Sequence, residues 1–125
     1  MDSCIFCKIV RGEIPAERVY EDEEFLAFLD IHPRGPGHVQ VIPKEHIRWV
    51  WDIPRVGRAF EIVRMIAKAQ QKAFGEEMIR SQVFGDEVAH AHIWVWPNAS
   101  LGETDFGKPS ENAENLRKNI IVSKL

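Results

Sequence analysis

Cysteine is scarce in this chain, with two among 125 residues, both within the first seven. A domain of this length buries a core without disulfide staples. Cys4 and Cys7 therefore need another role, as free thiols, metal ligands or a redox pair. Long apolar runs are missing as well. None approaches the ~18 residues of a membrane-crossing helix, so no membrane partner is expected. MDSCIFCKIV has neither the basic start nor the long apolar stretch of a secretory signal. The cytoplasm, where disulfides are rare, is the expected location. Nor is there a surplus of positive charge. Lys and Arg number 16 against 19 Asp and Glu, for a formal net charge of −3, and RKNIIVSKL is only a mild basic cluster. That balance argues against nucleic acid as a main partner and leaves a nucleotide open. With 45% hydrophobic and 28% charged residues and no internal repeat, the chain reads as one globular domain over residues 1–125.

The patterning predicts five strands and two helices. ERVYEDE (17–23) and EFLAFLDI (24–31) read as a hairpin, and HPRGPGH (32–38), with two prolines and two glycines, reads as a loop. HVQVIP (38–43) is a strand ended by Pro43. From about Pro54 to Phe74 the spacing of Val56, Phe60, Val63, Ala67 and Phe74 predicts a helix stopped by Gly75. Ile62, Met65, Ile66 and Ala69 widen its apolar face, which calls for cover by a sheet and by a partner subunit. MIRSQVF (78–84) and EVAHAHIWVW (87–96) are two further strands, and NASLGETDFGKPS (98–110) is a polar loop. A last helix over about 110–124 uses Ala113, Leu116, Ile120 and Ile121 as its inner face. The expected class is α+β, with an antiparallel sheet of about five strands.

The informative stretch is HAHIWVWP, residues 90–97. On a strand, His90, His92, Trp94 and Trp96 share one face while Ala91, Ile93 and Val95 share the other. Two imidazoles about 6–7 Å apart on one face have three uses. They bind a metal, they supply a nucleophile with a helper, or they are structural.

The wider sequence resembles the histidine triad (HIT) family of nucleotide hydrolases and transferases, whose motif is H-x-H-x-H with apolar residues between. HAHIWVW matches it at His90 and His92 and departs at Trp94. FLAFLDIHPRGPGHVQVIPKEHI (25–47) is similar to the family's first half. CIFCKIVRGEIPAERVYEDE (4–23) is similar to the N-terminal segment of its microbial members, and GDEVAHAH to the glycine that precedes the histidine strand. The resemblance covers residues 4–97. It implies the HIT-like fold, a homodimer, and attack by His92 on the α-phosphate of a purine nucleotide conjugate. The conjugate would be a phosphoramidate or a dinucleoside polyphosphate, cleaved through a nucleotidyl-histidine intermediate. It further implies that His90 and His38 complete the catalytic set and that His38 holds the phosphate region. Asp30 accepts hydrogen bonds from the ribose hydroxyls, and Ile31 and Phe28 form an apolar slot for the base. No metal is required for that chemistry in many members.

Trp94 belongs to the same nucleotide site but alters it. Indole has one N–H donor and no acceptor, so it donates to a phosphate oxygen and cannot shuttle a proton. Asp86 and Glu87 stand where neutral donors are common and would repel a phosphate unless they point away. These departures motivate a second function, a nucleotide-binding or interaction protein with weak or no turnover. A metalloenzyme using His90 and His92 with an open position is a third, less favoured because Asp30 and His38 already fit a nucleotide.

CIFC is a C-x-x-C that reads as half a zinc site, since the thioredoxin-type context of a redox motif is absent. The resemblance supplies the other half. His46 and His90 match histidines that microbial members use, which gives a closed structural set of Cys4, Cys7, His46 and His90. Two reduced thiols packed as small hydrophobes are the alternative. His32 is expected in solvent.

Overall fold

A strand buried along its whole length needs cover on both faces of its sheet, and β3 (Val39–Pro43) is such a strand. Val39 and Val41 point into one apolar cluster and Ile42 into another. The computed structural model describes residues 3–122. Before β3 come α1 (Ile5–Val10), β1 (Arg18–Glu21) and β2 (Phe25–Leu29). After it come a 3-10 turn (Val50–Asp52), α2 (Val56–Phe74), β4 (Ile79–Gln82), β5 (Ile93–Pro97) and α3 (Pro109–Asn119). The sheet runs β1-β2-β3-β5-β4 with every neighbouring pair antiparallel. This is the α+β architecture with five strands that the patterning predicts. Among the described residues, no helix is long and apolar enough to cross a membrane.

Helices α2 and α3 cover one face. The buried stripe of α2 is Ala59, Ile62, Val63, Met65, Ile66, Ala69 and Gln70. The expected inner residue Phe60 lies on the flank and is 39% exposed. Gly75 stops the helix as expected, in a left-handed conformation at φ 67 that a side chain would strain. Gln70 is fully buried, and its amide donates to Gly37 O (2.9 Å) and Val95 O (3.0 Å). It thereby ties the helix to both the 30–38 loop and β5. Burying an amide this way is favourable only because both carbonyls accept.

Three elements differ from expectation, the first being α1, where the patterning predicts no helix. β5 begins at Ile93 rather than at residue 87, so His90 and His92 precede the ladder. The β3–β5 register ends at Val41↔Ile93, and continuing it would set Ala91 opposite Pro43, which has no N–H to donate. Ala91 N–H instead reaches Ile47 O at 2.6 Å. The period of two nonetheless persists, with Ala91, Ile93 and Val95 all in the helix-side cluster. Helix α3 ends at Asn119, with Ile120 already extended and Ile121 80% exposed. The β-branched run Ile120-Ile121-Val122 disfavours another turn, and residues 123 and 124 of the expected helix lie outside the described residues.

Candidate functional site

The face opposite α2 and α3 carries the candidate site, and α1 covers part of it. Phe6 of α1 packs edge-on against Phe28, His90 and His92, with ring centroids 5.6, 5.8 and 5.4 Å apart. The imidazole of His92 is fixed by its own backbone. Its Nδ1 lies 2.7 Å from His90 O. A carbonyl only accepts, so Nδ1 carries a proton, and in the neutral ring the lone pair is the one on Nε2. Phe84 flanks the same ring at 6.2 Å.

Asp30 and His38 face each other across the β2–β3 connection. Asp30 N–H donates to His38 O at 2.9 Å, and Asp30 Oδ1 accepts from His32 N–H at 2.8 Å. Asp30 Oδ2 stands 3.8 Å from His38 Nε2. His38 Nδ1 accepts the Arg34 backbone N–H at 3.0 Å, which leaves the ring proton on Nε2. That N–H is buried with no partner, and so is the indole N–H of Trp94. The two rings touch, with centroids 5.0 Å apart. Two adjacent buried donors without acceptors are costly in a finished core and suit a site that receives an oxyanion. Burial, with Arg34 adding to it, pushes the His38 imidazole down to about 3. Burial also raises the Asp30 carboxyl, and Glu87 adds to that; the His32 N–H, His32 and Arg34 oppose it.

The His38 shift has a measurable sign. The folded protein leaves the ring neutral down to about pH 3, whereas the unfolded chain protonates it near 6.5. Between those values the unfolded state binds more protons, so His38 makes stability fall as pH falls. In denaturant unfolding between about pH 6 and pH 4, His38→Asn should lose stability less steeply than wild type, by up to about 1.4 kcal/mol per pH unit. Equal slopes would contradict a buried neutral His38.

Asp30, Ile31 and His38 also line a cavity of about 330 Å³ that reaches round to the α3 side of the sheet, where Leu29, Phe106 and Asn112 complete it; His92 is not on its wall. That volume suits a nucleoside. Ile31 is 83% exposed at its rim. Phe28, expected beside Ile31, is not on this wall, because β2 alternation turns it under Phe6. Trp94 is also off the wall, one ring beyond His38. A larger open groove of about 760 Å³ runs along the outer side of α2, lined by Glu61, Arg64, Lys68 and Lys72. It contains none of the buried unpartnered polar atoms. Asp86, Glu87 and His32 are exposed, and the Glu87 charge still reaches the Asp30 carboxyl.

The expected metal ligands converge. One donor atom from each of Cys4, Cys7, His46 and His90 falls within 4.8 Å of all the others. Cys7 Sγ is 3.2 Å from His46 Nδ1 and 3.5 Å from His90 Nδ1, and Cys4 Sγ is 3.4 Å from His90 Nδ1. Tetrahedral zinc with Zn–S near 2.3 Å and Zn–N near 2.0 Å separates its donors by roughly 3.3–3.8 Å, so the set fits. His90 Nε2–H donates to Pro43 O at 2.8 Å, which turns the Nδ1 lone pair toward the sulfurs, as an outer carbonyl does for a metal-bound imidazole. Burial first, and then the hydrogen bond with Cys4, raise the Cys7 thiol. A divalent cation is what holds such a pair as thiolates.

The HIT domain family model matches residues 11–101, most of the chain. The chain belongs to the HIT family. It is 40% identical to the adenosine 5′-monophosphoramidase of Schizosaccharomyces pombe over 108 residues, 80% of this chain and 79% of that protein. A HIT-like protein from Bartonella henselae, described as involved in cell-cycle regulation, superposes with a TM-score of 0.85 at 35% identity, covering 96% of this chain and 98% of the other. A zinc-bound histidine triad family protein from Mycobacterium smegmatis superposes at 0.83 with 33% identity, covering 94% and 93%.

Four residues at this HIT site escaped the sequence reading. Phe6 sits on a six-residue helix too short for periodicity to reveal. Pro43 was read only as a strand end, yet its carbonyl orients His90. Phe84 wedges between His92 and Trp94. Arg34 lies over the Trp94 ring at 4.6 Å and the Trp96 ring at 5.7 Å. A lone basic residue in the Pro/Gly loop four positions before His38 was the available signal.

Proposed function

We propose that this HIT protein transfers or hydrolyses the nucleotidyl group of a purine nucleotide conjugate, with His92 as nucleophile. The observation that carries this reading is the locked tautomer of His92, whose Nδ1–H is held by His90 O at 2.7 Å so that Nε2 is free to attack. The Nε2 lone pair forms a bond to the α-phosphorus while the bond to the leaving group breaks. Water then attacks the same phosphorus and releases the nucleotide and His92. The unpartnered N–H groups of His38 and Trp94 receive the phosphoryl oxygens. Asp30 accepts from the ribose hydroxyls, and Ile31 borders the base. His90 acts by its carbonyl and as an anchor. The relatedness to an adenosine 5′-monophosphoramidase supports an adenylyl group.

In this reading Cys4, Cys7, His46 and His90 hold a structural zinc, which fastens α1 to the site face and takes no part in the transfer. A homodimer is part of the same reading, supported by the open β4 edge and the exposed Phe60 and Met78. The second reading, nucleotide binding with little turnover, draws on Trp94, which has no proton to relay where the family motif has its third histidine. Incubation with adenosine 5′-phosphoramidate and with diadenosine tetraphosphate decides between them. AMP release from at least one supports the enzyme, and tight binding without release from either supports the binding protein.

A further inference from the structure

We propose that Arg34 sets the substrate class of this site, selecting nucleotide conjugates whose leaving group departs as an anion, that is, phosphoric or sulfuric anhydrides of a nucleotide, over those that release an amine. The proposal rests on the nucleotide reading of the His92 site. It starts from what surrounds Trp94. His38, Phe84 and Trp96 pack on that ring at 5.0, 4.8 and 6.1 Å, and Arg34 covers it. None of these is a proton donor to a leaving group near neutrality. Indole and phenyl rings do not titrate, a guanidinium keeps its proton, and the ring proton of a neutral histidine is not released.

That matters for one of the two bond cleavages. When His92 Nε2 displaces an amine, the P–N electron pair moves onto nitrogen, which has to collect a proton. When it displaces a phosphate or sulfate, the P–O pair stays on an oxygen that is stable as an anion, and no proton is needed. What the second case needs is positive charge.

Arg34 is built to supply that charge. Its backbone N–H is tied to His38 Nδ1 at 3.0 Å. The next residue is glycine because a Cβ at Gly35 would run into the Pro97 carbonyl, and this close approach holds the loop against the end of β5. The guanidinium stacks on two indoles, and its polar contact is Gln82 Oε1 at 3.5 Å, a neutral group. Among the described residues no carboxylate lies within ion-pair distance of it. A path of touching rings leads from His92 through Phe84 (6.2 Å) to Trp94 (4.8 Å) and Arg34 (4.6 Å). An anionic chain extending from His92 toward Trp94 would meet a guanidinium with unused donors.

The test is the ratio of kcat/KM for diadenosine tetraphosphate to that for adenosine 5′-phosphoramidate, in wild type, Arg34→Gln and Arg34→Lys. Losing one charge-assisted contact should lower the ratio at least about tenfold in Arg34→Gln, with partial recovery in Arg34→Lys. An unchanged ratio across the three proteins overturns the proposal. If wild type turns over neither substrate, the enzyme reading fails and Arg34 is still tested by binding. Tryptophan fluorescence titrations should show Arg34→Gln weakening diadenosine tetraphosphate at least about tenfold more than AMP. Equal weakening of both, or of neither, overturns it.

Discussion

Replacing His92 with alanine is expected to lower kcat for the better of the two adenylyl substrates by at least about 10³-fold, since no other group can form the covalent intermediate. AMP affinity should stay within about threefold, because the ribose and base contacts proposed for Asp30 and Ile31 would be made in the ground state. The geometry makes this a clean deletion. His92 is 3% exposed and its hydrogen bond is to the His90 carbonyl, which a water in the vacated space would satisfy. His90, by contrast, is a poor place to test chemistry. It contacts both cysteines, and its removal would disturb the sulfur cluster as well as the site. Acid-sensitive capture of an adenylyl group on wild-type His92 in a rapid quench, absent in His92→Ala, would link the rate loss to the intermediate. If His92→Ala retains more than a tenth of wild-type kcat, nucleophilic catalysis by this residue is wrong, whatever the substrate.

Much of this site was legible because it depends on residues whose type and period carry the information. Alternation alone put His90, His92, Trp94 and Trp96 on one face and Ala91, Ile93 and Val95 on the other, and that division persists even where the ladder does not. Cys4, Cys7, His46 and His90 were brought together only through resemblance, since 86 residues separate the ends of the set and spacing says nothing at that range. The errors have local causes. Pro43 cannot donate, which shortens β5 by the very segment that holds the histidines. A run of β-branched residues stops α3 early. Phe28, grouped with Ile31 by resemblance, lies under Phe6 on the His92 face, because strand alternation puts residues 28 and 31 on opposite faces. Arg34 was missed because a cation in a loop has no periodicity. Its meaning appears only when the fold lays it across Trp94 and Trp96, residues sixty or more positions away.

The second large effect concerns the metal. Cys4→Ser should reduce bound zinc from one per chain to well below stoichiometric and lower Tm by at least about 10 °C, taking about 3 kcal/mol as the lower bound for a structural zinc and roughly 3–4 °C per kcal/mol for a chain this size. Cys4 is the informative position because its two roles separate on substitution. It is the N-cap of α1, with Sγ accepting the Cys7 N–H at 3.4 Å, and serine is a better cap than cysteine. Helix initiation is therefore preserved or improved, and any loss of stability reports the missing ligand. The loss should be large because α1 has only six residues and holds little structure by itself. Its attachment to the sheet is the packing of Phe6 and Ile9 plus the four-ligand cluster. A strong chelator should bring wild type down to the Tm of Cys4→Ser and leave the variant where it is. Stoichiometric zinc persisting in Cys4→Ser would refute this ligand set. A wild-type Tm indifferent to the chelator would mean that two thiols and two imidazoles pack together here without an ion.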